Sequence, residues 1–155
     1  MKYAIESKIR DLFKADSDLD DIQLFWIGEP LFIRTNDYPC VFIFVESQIP
    51  FDEETGLWVY RYGGYVALET RLTDTYKPKN READMDSLLL IRRLLDAASQ
   101  NLEENLTLDN LTEDDETVRR IQTAEKVYSI VNRQDNILNR GDFNFLVETQ
   151  RSRSC

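Results

Sequence analysis

The amino-acid sequence predicts an α+β fold: a mixed or antiparallel β-sheet with a long hairpin, flanked by two to three α-helices, in a single domain over 1–155. Three observations predict it. Residues 38–72, YPCVFIFVESQIPFDEETGLWVYRYGGYVALETRL, read as two strands joined by an acidic loop and carry much of the apolar mass. Residues 3–15 and 85–102 space their apolar side chains as helices do. The segment Phe143–Thr149 alternates apolar and polar residues as a closing strand. At 155 residues and 42% hydrophobic content, the chain is long enough to bury one core without disulfide staples.

Ile5, Ile9, Leu12 and Phe13 lie at i, i+4, i+7 and i+8, one face of a first helix over 3–15. Asp16, Ser17, Asp18, Asp20 and Asp21 end it in a polar turn. Ile22–Ile27, closed by Gly28-Glu29-Pro30, predicts a first strand, with Leu31–Arg34 continuing or pairing with it. Asn36-Asp37 and Pro39 mark a turn. In strand 40–47, Cys40, Phe42 and Phe44 alternate with Val41, Ile43 and Val45. Both faces are apolar, so helices or a neighbouring subunit must cover both. The run 57–72 sets Val66, Leu68, Thr70 and Leu72 on one face and Tyr65, Ala67, Glu69 and Arg71 on the other. Gly63-Gly64 predicts a bulge or sharp bend. A hairpin this long is expected to project beyond the compact domain.

Residues 73–84 are polar, contain Pro78 and predict a loop. Helix 85–102 follows, with Met85, Leu88, Ile91, Leu95, Ala98 and Leu102 near one stripe. The polar linker 103–117 holds Glu103, Glu104, Asp109, Glu113, Asp114, Asp115 and Glu116, with no Lys or Arg. Residues 118–133 carry two signals. Val118, Ile121, Tyr128 and Val131 fit a helical face, whereas Val127–Val131 has strand composition. The helical spacing favours a third helix. Gly141 is expected to break the chain before the last strand, which puts Phe143, Phe145 and Val147 on one face.

A net charge of −10 and a pI near 4.5 argue against direct nucleic-acid binding, which needs clustered Lys and Arg, and against docking on anionic lipid. No stretch approaches a membrane span, and the first residues lack the apolar run of a secretory signal. Two cysteines, Cys40 and Cys155, imply no disulfide framework and a reducing compartment. The sequons at Asn105 and Asn110 then read as chance.

The residue types present also argue against catalysis and a cofactor. Without histidine there is no Ser-His or Cys-His dyad and no usual zinc ligand. Cys40 sits between apolar neighbours, the setting of a structural thiol. Asp16–Asp20 mimics the start of a calcium loop, but Asp21 stands where Gly is needed and Ile27 where Glu is needed. Asp52 and Glu69-Thr70-Arg71 are similar to a metal-dependent nuclease signature, with Arg71 in the place of a lysine. Glu46, Asp52, Glu53 and Glu54 offer carboxylates for glycoside chemistry, with nothing to mark one as buried. Gly63-Gly64 lacks the helix and lysine of a phosphate loop.

Charge layout remains. Lys77, Lys79 and Arg81 lie in one loop and Arg151 and Arg153 in the tail, opposed by Glu113, Asp114 and Asp115 in the linker. Solvated loops are the ordinary reading of such segments. Complementary contact between copies is the other, because a head-to-tail ring needs two different matching patches on one subunit. Tyr60, Arg61 and Tyr62, just before the Gly63-Gly64 bend, complete the candidate subunit interface.

The layout resembles the tail terminator, or tail-completion, proteins of long-tailed bacteriophages. The likeness rests on the Tyr3–Ala15 helix, the Asp37-Tyr38-Pro39-Cys40-Val41-Phe42-Ile43 approach to a central strand and the long Leu57–Leu72 run. Helix 85–102, Leu106-Thr107-Leu108 and the closing strand Phe143–Thr149 continue it over nearly the whole chain. It implies a small non-catalytic virion protein, without cofactor, that forms a hexameric ring. Such a ring caps the tail tube and presents a surface to the head-completion or connector protein at the head–tail junction, after assembly in the host cytoplasm. The acidic 103–117 linker departs from the family pattern, and at 118–133 that pattern favours a strand. The alternative from charge alone is a small acidic adaptor or inhibitor that binds a basic partner.

Overall fold

The computed structural model describes residues 1–30, 32–54, 56–76, 85–133 and 136–152. Its fold is mixed α+β. A twisted sheet has the strand order β1 (Leu24–Ile27), β2 (Cys40–Glu54), β3 (Leu57–Arg71), β9 (Asn136–Ser152), β7 (Glu116–Thr123) and β6 (Thr112–Glu113). A further strand, β8 (Val127–Arg133), pairs with β9 beside β7. Among the described residues, β1 and β2 run parallel and the other pairs in this sheet are antiparallel. A small separate ladder joins β4 (Thr75–Tyr76) to β5 (Met85–Asp86).

Two helices pack on one face. α1 (Lys2–Lys14) buries Ile5, Ile9 and Phe13, and α2 (Ser87–Glu104) buries Leu90, Ile91, Leu94, Leu95, Ala98 and Leu102. Both follow the apolar spacing of the sequence. Asp86 caps α2 by accepting from the Leu89 amide at 2.8 Å. Asn101 of α2 donates to the Leu12 carbonyl and to Asp16, and Arg93 pairs with Asp21 at 3.0 Å, so the acidic turn after α1 anchors the second helix. Beneath the helices lie Val41, Ile43, Val45, Val66, Leu68, Phe143, Phe145 and Val147.

On the other face of strand 40–47, part of the cover comes from the chain's own loop and strands. Cys40 and Phe42 are buried against Ile33, Tyr38, Ala67 and Leu138 of the same chain, while Phe44 stays partly exposed. The first hairpin strand is longer than expected: β2 runs to Glu54, so the acidic stretch 52–54 lies in a strand instead of a loop, while β3 spans Leu57–Arg71, close to the 57–72 read from sequence. At Gly63-Gly64 the irregularity falls on the partner strand, where the register shifts between Val45 and Ser47. The glycines are needed for close approach. A Cβ at Gly64 would meet the Phe44 carbonyl oxygen at 2.2 Å and the Phe145 ring at 2.7 Å.

Two expectations are corrected. Residues 118–133 form no helix; they are β7 and β8, one long line of strand along β9 interrupted at 124–126. A bulge explains the helical spacing. The register shifts between Val118 and Arg120, so Val118 and Ile121, three apart, face the same side opposite Thr149 and Val147. Tyr128 and Val131, opposite Gly141 and Leu138, face opposite sides. Nor does Gly141 break the chain. It lies inside β9, where an added Cβ would meet Leu95 of α2 at 2.9 Å and the Tyr128 ring at 3.1 Å.

Gly64→Ala is expected to destabilise the protein by about 1–3 kcal/mol, as overpacking does. Urea unfolding of the two proteins side by side measures it.

Candidate subunit interface

The structure places each candidate contact residue it describes. Tyr60 of β3 is half-buried against the main core. Tyr62 is 1% exposed and belongs to that core, which removes it from the candidate surface. Its hydroxyl donates to Glu116 at 2.5 Å and accepts from Gln48 at 3.1 Å, and Thr149 donates to the same Glu116 oxygen. Burial first, then the Glu116 carboxylate, pushes the Tyr62 hydroxyl far above its ordinary pKa. Sequence reading missed this inward turn because alternation shows which residues share a face, not which face is covered.

Arg61 points to the side away from the helices. There it meets Glu148 at 3.8 Å, a carboxylate that Arg119 and Arg120 also approach, at 3.6 and 3.9 Å. The bulge in β7 brings consecutive arginines to one carboxylate, and sequence spacing carries no sign of it. Arg151 is exposed, in register between Trp58 of β3 and Glu116 of β7. Glu113, Asp114 and Asp115 form the exposed β6–β7 turn, with φ of 51° at Asp114 and 67° at Asp115. That is the left-handed pair of a tight two-residue hairpin. Residues 61, 113–115 and 151 therefore lie toward one end of the sheet, with Arg61 and Arg151 on opposite faces. Lys77, Lys79, Arg81 and Arg153 lie outside the described residues.

A second ionic network lies further along the same face. Glu69 is fully buried. Arg133 holds it with two bonds of 3.0 Å, and Arg140 adds a third at 3.0 Å. Arg133 also donates to the Pro30 carbonyl, and Arg140 reaches Glu29 at 2.6 Å. The two guanidiniums stack over Phe42 and Tyr65, at 5.4 and 5.8 Å. Burial raises the Glu29 pKa, but the hydrogen bond and charge of Arg140, with Arg133 behind, outweigh it and hold the carboxyl below its ordinary value.

These contacts bear on the chemistry tested in the sequence. Glu69 is bound by two arginines, and Arg71 pairs with Asp74 at 3.6 Å, so neither stands ready as a metal ligand or a proton shuttle. Among the described residues, no group of three or more His, Cys, Asp or Glu is placed to hold a metal ion. The Cys40 thiol is buried, and that burial pushes its pKa far up. Among the described residues, one open cleft of about 230 Å³ is lined by Gln122, Thr123, Ala124, Asn144, Phe145 and Leu146, with no ionisable side chain. Another, of about 170 Å³, adjoins β8 and holds Arg140 and Tyr128 but no carboxylate or thiol.

Comparison with known proteins finds no family model that matches this sequence and no matching curated relative.

Glu69→Gln is expected to cost up to about 3–5 kcal/mol in urea unfolding, because it leaves two half-buried guanidiniums short of a counter-charge. Glu29 has a folded pKa below its unfolded one. Its contribution is present above the unfolded value and lost as pH falls through the folded value. Glu29→Gln should therefore flatten the acid limb of the stability–pH profile, as melting temperature against pH would read out.

Proposed function

We propose that this chain is a non-catalytic virion assembly protein, a ring-forming tail terminator or neck subunit of a long-tailed bacteriophage. In this reading it caps the tail tube, joins it to the head-completion or connector protein, and works at the head–tail junction without cofactor. Its first partner is itself, in a ring of six as the family resemblance implies.

One observation carries the reading. Arg61, Arg119 and Arg120 gather around Glu148 on the face away from the helices, and Arg151 and the acidic turn 113–115 lie toward the same end of the sheet; among the described residues, the clefts given above hold no carboxylate or thiol. Charges of both signs set on rigid strands serve contact and register between proteins, where they speed and orient association. Arg119 and Arg120, held by the buried Glu148, enlarge the candidate surface beyond the residues singled out from sequence. The element order, with an amphipathic helix, a long hairpin, a second helix and a closing strand, supports the same reading.

The acidic adaptor is the weaker reading. Several carboxylates it would offer are already engaged within the chain: Asp109 pairs with Lys8 at 3.0 Å, and Glu116 accepts from Tyr62 and Thr149.

Native mass measurement and negative-stain imaging of the purified protein, alone and mixed with tail tubes, are expected to show rings of identical subunits or rings seated on tube ends. A protein that stays monomeric at every concentration and binds neither tube nor connector rules the proposal out.

A further inference from the structure

The sheet has two outer edges, and each carries an apolar strip. Along β8 the strip lies on the helix side. Tyr128 and Ile130 stand opposite Gly141 and Asn139 of β9; Gly141 faces Leu95 of α2, and Asn139 bonds Ser87 at the start of α2. Leu88 of α2 lines a shallow cleft with them, and Ile137 follows along β9. Ile130 is 66% exposed. At the other edge, made by β1 and the free length of β2, the strip lies on the opposite side. Trp26 stands beside Phe42, Phe44 is the next residue on that face, and Ile49 lies opposite Arg61. Trp26 is 46% exposed and Ile49 58%.

Edge strands in isolated proteins are usually blunted by charge, proline or bulges. β8 carries no charged residue across Val127–Asn132, and the charge that ends it, Arg133, turns inward to Glu69. The exposed parts of Leu88, Tyr128, Ile130 and Ile137 amount to an apolar patch on the order of 400 Å², a size that on monomers is often functional.

We propose that the two strips are the mating halves of one contact, in which the β8 edge of one copy lies against the β1–β2 edge of the next. This rests on the ring-subunit reading and names the surfaces that would build the ring. Strips on opposite edges and opposite sides meet when successive copies overlap like roof tiles. Because the strips differ, the contact is heterologous and propagates until it closes. A two-fold pairing of β8 with β8 would cover one strip and leave Trp26, Phe44 and Ile49 bare. The chemistry also matches. Trp and Phe anchors on one strip meet a cleft on the other whose apolar wall is Leu88, Tyr128 and Ile130. Arg92, over the Tyr128 ring, borders the first strip, and the exposed Glu46 borders the second.

Ile130→Asp blocks one strip and Trp26→Asp the other. Light scattering and native mass measurement of the full chain test them, with circular dichroism and thermal melts to check folding. The expected result is an assembled wild type and two monomeric variants. An equal mixture of the variants should form a one-to-one dimer that grows no further, since each keeps one intact strip. If either variant misfolds, Ile137→Asp or Ile49→Asp blocks the same strip. Assembly of the wild type that survives both substitutions overturns the strips and leaves the ring reading standing. Loss of assembly with Ile130→Asp but not Trp26→Asp points to β8–β8 pairing and overturns the head-to-tail contact. A strictly monomeric wild type overturns both.

Discussion

The antiparallel ladder between β3 and β9 is the constraint on which the rest of the molecule depends. It runs without a register shift from Leu57 opposite Ser152 to Arg71 opposite Leu138. β2 pairs with its β3 side, and β7 and β8 share its β9 side end to end. α2 lies across the ladder and is locked at its start by Thr70, Ser87 and Asn139, a buried polar cluster with one member from each of three elements. Gly64 and Gly141 stand where the ladder meets its closest neighbours, the β2 backbone with Phe145 and the α2 surface with Tyr128. A side chain at either place would push a layer away.

The two faces of that ladder are stabilised by different physics. The helix face is apolar and closes by burial. On the other face, Glu69 and Glu148 each draw arginines from neighbouring strands, and segment 32–38 covers Cys40 and Phe42. A chain of net charge −10 thus collects Arg61, Arg119, Arg120, Arg133 and Arg140 on one face. Buried ion pairs contribute little net stability, since desolvation offsets the Coulomb attraction. Their contribution here is register: Arg140 and Glu69 are opposite each other in the β3–β9 pairing, and a one-residue slip would separate them.

The same arrangement bears on the proposed role. On the face away from the helices, ion pairs tie neighbouring strands together, and Glu69 and Glu148 are held by arginines within the chain. The edges keep their apolar side chains exposed. A subunit that works by contact needs such a body, tied together in the middle and adhesive at its borders.

Much of the architecture was legible in the sequence. The amphipathic helices, the central hairpin and the closing strand follow from spacing, because burial of one face imposes a period of 3.6 or 2 on the residues themselves. The misread segment, 118–133, shows the limit of that rule. One extra residue at Arg119 turned a strand's period into a helix's, and the free side of β9, absent from any local pattern, decided for strand. Gly141 read as a break because the helix and ring packed against it lie far away in sequence. Among candidate contacts, sequence determined the chemistry at each position. Tertiary structure decided that Tyr62 is core, that Arg61 shares Glu148 with two arginines, and that residues 61, 113–115 and 151 lie toward one end of the sheet. Local sequence determines what a segment can bury or expose; pairing with distant strands determines which side of the sheet each residue reaches.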